Sequence, residues 1–158
     1  MRSRGFGLIE LMAALLIAAI LLAAGVPALQ SFAAEQQLAG AANAFFHGAS
    51  LTRAEALRQG SVARMTPADG RDWASGWSIE AGGRPVMTQP PLPRGVAVSH
   101  GGGGDAIAYK PGGQPLARAT WHFNGGGKAR LVAINFLGRI RVCNPQADSR
   151  CGAEQEAD

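Results

Sequence analysis

The sequence predicts an α+β protein in which a long N-terminal helix packs on a small antiparallel β-sheet domain. Three observations predict it. Residues 6–29 are almost wholly apolar. Residues 30–59 are rich in Ala, Gln, Glu and Leu, all good helix formers. After Gly60 the apolar pattern shortens into β-type runs separated by Gly and Pro.

The first element is long enough to span a bilayer. Phe6 to Leu29 is 24 residues, about 36 Å as a helix at about 1.5 Å per residue, against a hydrocarbon layer of about 30 Å. Arg2 and Arg4 precede it, so the positive-inside rule keeps the N-terminus cytoplasmic and sends the C-terminal domain to the periplasmic side. Within it stands Glu10. A carboxylate near the start of a spanning helix costs about 2–3 kcal/mol or more in lipid. Glu10 is therefore a functional candidate, and the partner it calls for is a positive charge on another molecule. A secretory signal peptide has a shorter apolar region, about 7–15 residues, and no use for the glutamate. Small residues near Ala28 and Ala33 leave a signal-peptidase site as the alternative.

The helical pattern continues beyond Leu29. Pro27, two residues after Gly25, should kink or loosen the helix because it removes a backbone donor. Leu38, Ala42, Phe45 and Ala49 recur at steps of three or four and draw an apolar stripe for a sheet to cover. Gly60 reads as the stop. The two halves together predict a helix of roughly 80 Å.

Residues 60–158 form the globular part, where a thin core needs support from a packed helix or a disulfide. Strands are predicted over 61–65, 76–81, 95–99, 106–109, 119–123, 129–135 and 139–143. Gly101–Gly104 and Gly125–Gly127 lack the strand, helix, lysine and hydroxyl context of a phosphate loop and read as loops or hairpin turns. Cys143 and Cys151 lie close together, and outside the cytoplasm a disulfide is their natural fate. No second pair of ligands at usable spacing supports zinc.

The net charge is +4, but its distribution says more. Asp and Glu are absent from Ala106 through Ala147, a span holding Lys110, Arg118, Lys128, Arg130, Arg139 and Arg141. An acidic tail with Asp148, Glu154, Glu156 and Asp158 follows. Such a block suits an anionic polymer or a membrane surface, or is simply the solvated face of a basic protein. Arg139 and Arg141 are two apart on a predicted strand, so both point to one face while Ile140 and Val142 turn inward. With Lys128 and Arg130 on a neighbouring strand they would suit phosphate oxygens. The alternative is pairing with acidic groups on a neighbouring subunit or on the tail. His47, His100 and His122 stand in no motif with a nucleophile or an acidic orienter. No paired carboxylates point to acid–base work, so an enzyme is not expected, and no cofactor or metal is implied.

Gly5-Phe6-Gly7-Leu8-Ile9-Glu10-Leu11-Met12 resembles the class III signal of type IV pilins and of type II secretion pseudopilins. Internal segments narrow the resemblance to the FimT/GspH family: Ala54-Glu55-Ala56-Leu57-Arg58, Asp72-Trp73-Ala74-Ser75-Gly76-Trp77 and Gly138-Arg139-Ile140-Arg141. The resemblance implies a leader at residues 1–5, cleavage by prepilin peptidase between Gly5 and Phe6, and methylation of the new amine on Phe6. It divides the rest into a transmembrane or filament-core helix at 6–29, an amphipathic half at 30–59 and the globular domain at 60–158. Glu10 would neutralise the terminal amine of a neighbouring subunit as helices bundle. FimT-like minor pilins with the Gly-Arg-x-Arg motif are associated with DNA uptake, which implies double-stranded DNA as a partner besides other pilins, prepilin peptidase and the inner membrane. Two other readings share these features: a GspH-type pseudopilin of a type II secretion system, and a membrane-anchored periplasmic domain that does not assemble.

Overall fold

The computed structural model describes residues 7–148, 150 and 151. The chain forms two compact units, Met1–Ala34 and Glu35–Asp158, and one helix, α1 (Leu8–Gln59), begins in the first and ends in the second.

Among the described residues of the first unit, the large apolar side chains are left uncovered. Ile9, Leu16, Leu21 and Leu29 are each more than half exposed. An 18-residue window of α1 reaches a mean hydropathy of 2.5 with none of it buried. By length and composition α1 can cross a membrane. Helical structure continues through Pro27, so the proline does not divide α1 into two helices.

The second unit begins where the helix turns amphipathic. Leu38, Ala42, Phe45 and Ala49, the predicted stripe, are fully buried, and Thr52 and Ala56 extend it. Small residues allow close approach here. A Cβ on Gly48 would lie 2.8 Å from Trp77 Nε1 and 3.1 Å from Met65 Cε. The helix ends at Gln59 because Gly60 takes φ +59°, the left-handed value that a helix terminus favours and glycine adopts without strain.

Among the described residues eight strands follow: β1 (Ala63–Pro67), β2 (Trp77–Ala81), β3 (Arg84–Gln89), β4 (Ala97–Gly102), β5 (Ile107–Tyr109), β6 (Ala119–Gly125), β7 (Lys128–Ile134) and β8 (Ile140–Cys143). They make two four-stranded antiparallel sheets, in the orders β3-β2-β1-β5 and β4-β6-β7-β8. Seven strands were expected. The additional one, β3, holds Pro85, which argues against a central strand. It lies at a sheet edge, where a missing N–H is tolerated. Gly82 and Gly83, at φ +57° and +75°, form the two-residue turn into it.

Both sheets deliver aromatic rings to Phe45. Its ring centroid lies 5.0 Å from that of Trp73, 5.4 Å from Trp77, 5.1 Å from Trp121 and 5.2 Å from Phe123. Such edge-to-face and tilted pairs add to area burial. Trp73 belongs to a short 3₁₀ turn (Trp73–Ser75) capped by Asp72, whose side chain accepts from the Ala74 amide. The indole N–H of Trp73 and that of Trp121 both donate to the carbonyl of Gly104, at 2.8 and 3.2 Å. The glycine loop before β5 therefore satisfies two buried donors. A Cβ at Gly104 would meet the His100 ring at 2.5 Å, so a side chain is excluded there.

Tyr109 on β5 is fully buried, its hydroxyl without a partner among the described residues. Burial pushes the phenol up to about 12, despite the opposing pull of Arg53. It is the chain's single tyrosine, so its titration can be followed without interference. Phenolate absorbance should rise with a midpoint near pH 12 in the folded protein and near pH 10 in denaturant. Between those values the unfolded chain has released a proton that the folded chain retains, so stability should fall as pH rises from about 10 to 12. A folded-state midpoint at the ordinary value would show that the ring is reached by solvent.

Candidate functional site

The sequence places its candidate cations on β7 and β8, and strand register decides which of them can act together. β7 and β8 pair with Leu131 opposite Cys143, Val132 opposite Val142, Ala133 opposite Arg141 and Ile134 opposite Ile140. Directly opposed residues share a face, and the faces alternate along each strand. Val132 and Ile134 are core residues, with Ile140 and Val142 packed against the same core. Lys128 and Arg130 follow the same alternation and lie on the side of α1. Arg141 belongs to the opposite, outer face, whereas Arg139 precedes β8 and lines a groove with residues of α1. The cations expected to form one cluster therefore do not share one face: Arg141 lies on the side away from Lys128 and Arg130.

Lys128 and Arg130 have an intrachain partner. Glu35, one turn before Leu38 on α1, accepts from Lys128 Nζ at 2.5 Å and from Arg130 Nη2 at 3.2 Å. The bonds from Lys128 and then Arg130 hold the Glu35 carboxyl below the ordinary carboxylate range. This cluster ties the start of the amphipathic half of α1 to the β6–β7 hairpin, whose two-residue turn is Gly126-Gly127 at φ +58° and +73°. Glu35 was not singled out from the sequence. Its position three residues before the first stripe residue is the signal that marks it.

Arg141 is half-buried and its Nη2 lies 3.0 Å from Asp148 Oδ2. Asp148 sits in the loop closed by a Cys143–Cys151 disulfide, with Cα atoms 5.7 Å apart. Arg139 immediately precedes β8, is exposed, and makes no ion pair among the described residues. Its backbone is held firmly. Asn135 Oδ1 accepts from the amides of Leu137 and Arg139 at 3.1 and 2.9 Å. Arg53 on α1, also missed at the sequence level, donates from Nη1 to the Gly138 carbonyl at 2.9 Å and from Nη2 to that of Leu137 at 3.3 Å. Gly138 has φ +77°, and a Cβ there would stand 2.8 Å from the Gly113 carbonyl oxygen and 3.3 Å from the Arg53 guanidinium. Glycine at the head of Gly-Arg-x-Arg is thus demanded by both conformation and space. A shallow groove of about 350 Å³, lined by Phe46, Arg53, Leu57 and Arg139 among others, runs beside this turn.

Glu10 lies in the first turn of α1 and is exposed. Gly5 and Phe6, the expected processing residues, and the acidic residues after Cys151 lie outside the described residues. Of the histidines, His47 and His122 are exposed, whereas His100 lies 3.6 Å from Asp105 and beside Gly104. Among the described residues, no group of three or more His, Cys, Asp or Glu is placed to hold a metal ion.

A family model described as Type II transport protein GspH matches residues 41–138, and one described as Prokaryotic N-terminal methylation motif matches residues 1–26. The chain belongs to the GspH family. It is a type IV pilin-like protein of the minor pilin and pseudopilin group, a structural rather than an enzymatic family. No curated protein sequence matches it. Among solved structures, this GspH-family chain is similar in fold to the type IV minor pilin FimU of Pseudomonas aeruginosa, with a TM-score of 0.63 at 20% identity over 71% of this chain and 92% of that one. A second crystal form of FimU matches with a TM-score of 0.58. The minor pseudopilin EpsH of the Vibrio cholerae type 2 secretion system matches with a TM-score of 0.52 at 16% identity, over 66% of this chain and 94% of that one. The methylation motif and the uncovered apolar helix fit a pilin anchored in the inner membrane and assembled into a pilus or pseudopilus.

Gly138→Ala should destabilise the domain by about 1–3 kcal/mol through left-handed backbone strain and steric conflict, and should loosen the Arg53 clamp. Thermal denaturation with hydrogen exchange at Leu137–Arg139 checks this. An unchanged melting temperature and unchanged exchange would show that the turn adapts freely.

Proposed function

We propose that this chain is a minor pilin of a type IV pilus, built into the filament through its N-terminal helix and able to bind duplex DNA without sequence preference. The observation that carries the assembly role is the first unit itself: an apolar helix that its own chain leaves uncovered, with the carboxylate of Glu10 in its first turn. Cleavage after Gly5 would leave an amine on Phe6. In a bundle of such helices that amine and a neighbour's Glu10 are each penalised alone, and pairing relieves both. DNA binding rests on Arg139, exposed just before β8, and on Arg141, half-buried on β8 and ion-paired with Asp148, which a phosphate would have to displace. Guanidinium groups there suit phosphate oxygens, whose contacts position a duplex without reading its sequence. The family model's own description favours a second reading, a pseudopilin of a type II secretion system. The producing cell separates the two: loss of the chain would abolish piliation or DNA uptake in one case and protein secretion in the other.

Glu10→Ala should leave membrane insertion intact and lower recovery of the chain in sheared filaments by at least about tenfold, equivalent to roughly 1.4 kcal/mol of lost assembly free energy. Normal incorporation of the variant would overturn the assembly role of Glu10. For the full chain in neutral detergent micelles, duplex binding should weaken with salt. A log–log slope of about −2 to −4 is expected for two to four phosphate contacts. A flat response would remove the electrostatic account.

A further inference from the structure

The acidic tail after Cys151 has no role in the readings above, yet its pattern is regular. Glu154, Glu156 and Asp158 alternate with Ala153, Gln155 and Ala157. In an extended chain such alternation puts the three carboxylates on one face and uncharged side chains on the other. The described chain delivers the start of this segment to β8. The disulfide holds the Cα of Cys151 5.7 Å from that of Cys143, the last residue of β8. β8 is an edge strand, with β7 on one side and no strand on the other among the described residues. An open edge leaves backbone donors and acceptors unpaired, and proteins commonly cover it. Beside β8 runs the shallow groove of about 350 Å³, bounded by Phe46 and Leu57 of α1 and by Arg139 and Ile140. Two of its lining residues, Arg53 and Arg139, are cations and none is acidic. Asp148, the first acidic residue after β8, already turns back to pair with Arg141.

We propose that residues 152–158 lie back along the open edge of β8 and over this groove, with Glu156 paired to Arg139. Direction, reach and charge select this occupant. β8 ends at Cys143 and the tail starts beside that end, so a tail covering the edge runs antiparallel to β8, toward Arg139. Arg139 stands four residues before Cys143, about 14 Å along a strand at about 3.4 Å per residue. Glu156 is five residues beyond Cys151, a span of up to about 17 Å when extended, and both side chains are long. The two cations of the groove differ in what they can accept. Arg53 is committed to the carbonyls of Leu137 and Gly138. Arg139 is exposed and makes no ion pair among the described residues, so it is the one with capacity for a carboxylate. The inference does not depend on duplex binding. A duplex that takes Arg139 would have to displace the tail.

The test is NMR on the full chain in neutral detergent micelles, without nucleic acid. The wild type is compared with Arg139→Gln and with a triple variant, Glu154→Gln, Glu156→Gln and Asp158→Asn, each checked for an unchanged melting temperature. In the triple variant the Nε–H proton of Arg139 should exchange with water about two- to fivefold faster, the range for loss of an exposed ion pair. Sodium chloride at about 1 M, where the Debye length is about 3 Å, should speed that exchange in the wild type and leave the triple variant unchanged. Arg139→Gln should shift the amide resonances of residues 153–157, which are distant in sequence. Exchange at Arg139 that is the same in the wild type and the triple variant would overturn the pairing. Tail resonances that ignore Arg139→Gln would overturn the docking along β8. If the differences vanish on dilution, the tail sits on a second copy, and its seat on its own strand is overturned.

Discussion

The second unit is organised around Phe45. The domain is small, and its two four-stranded sheets share one core with the helix. A helix side chain fills the space, and both sheets and the 3₁₀ turn deliver tryptophan or phenylalanine rings to it. The amphipathic half of α1 is thereby as much a part of the core as any strand. Truncating a buried phenylalanine typically costs about 3–5 kcal/mol, a large share of the stability of a small domain. Helix and sheets are therefore mutually dependent, and residues that look like a linker between membrane and domain are domain residues from Glu35 onward.

The glycines serve that same core. Gly48 lets the helix approach Trp77 and Met65. Gly104 supplies one carbonyl to two indole donors, and burying either donor unpaired would cost about 1–3 kcal/mol. Glycine-rich stretches that look like flexible loops in the sequence are fixed by what they touch. The Gly101–Gly104 segment is half strand and half acceptor for the tryptophans.

Much of this was legible beforehand because the relevant signals are local. The apolar run with Glu10, the stripe through Phe45, the stop at Gly60 and seven of eight strands follow from spacing and composition. Strand β3 escaped because Pro85 is a breaker everywhere except at an edge, and edge position is a property of the whole sheet. The candidate site was only half legible for a related reason. Arg139 and Arg141 alternate within the strand that the sequence predicts, but β8 begins at Ile140, so alternation places only Arg141. Whether Lys128 and Arg130 join them depends on the register between strands, set by a turn of residues 135–139 that sequence does not resolve. A change of one residue in that turn would have moved the cations to the other side. Glu35 and Arg53 were missed because their partners are more than eighty residues away.

That turn also explains why the motif begins with glycine and why its first arginine is suited to a loose, sequence-independent contact. The backbone of Arg139 is restrained from two sides, by Asn135 and by the Arg53 clamp on Leu137 and Gly138. Its guanidinium, in contrast, is exposed. A restrained backbone limits the entropy lost on any contact to one side chain's rotamers, about 0.5–1.5 kcal/mol. A reader of base edges would need the reverse, a side chain locked in direction and projecting into a groove. Positioning by charge, the role proposed above, asks only for an exposed cation such as Arg139.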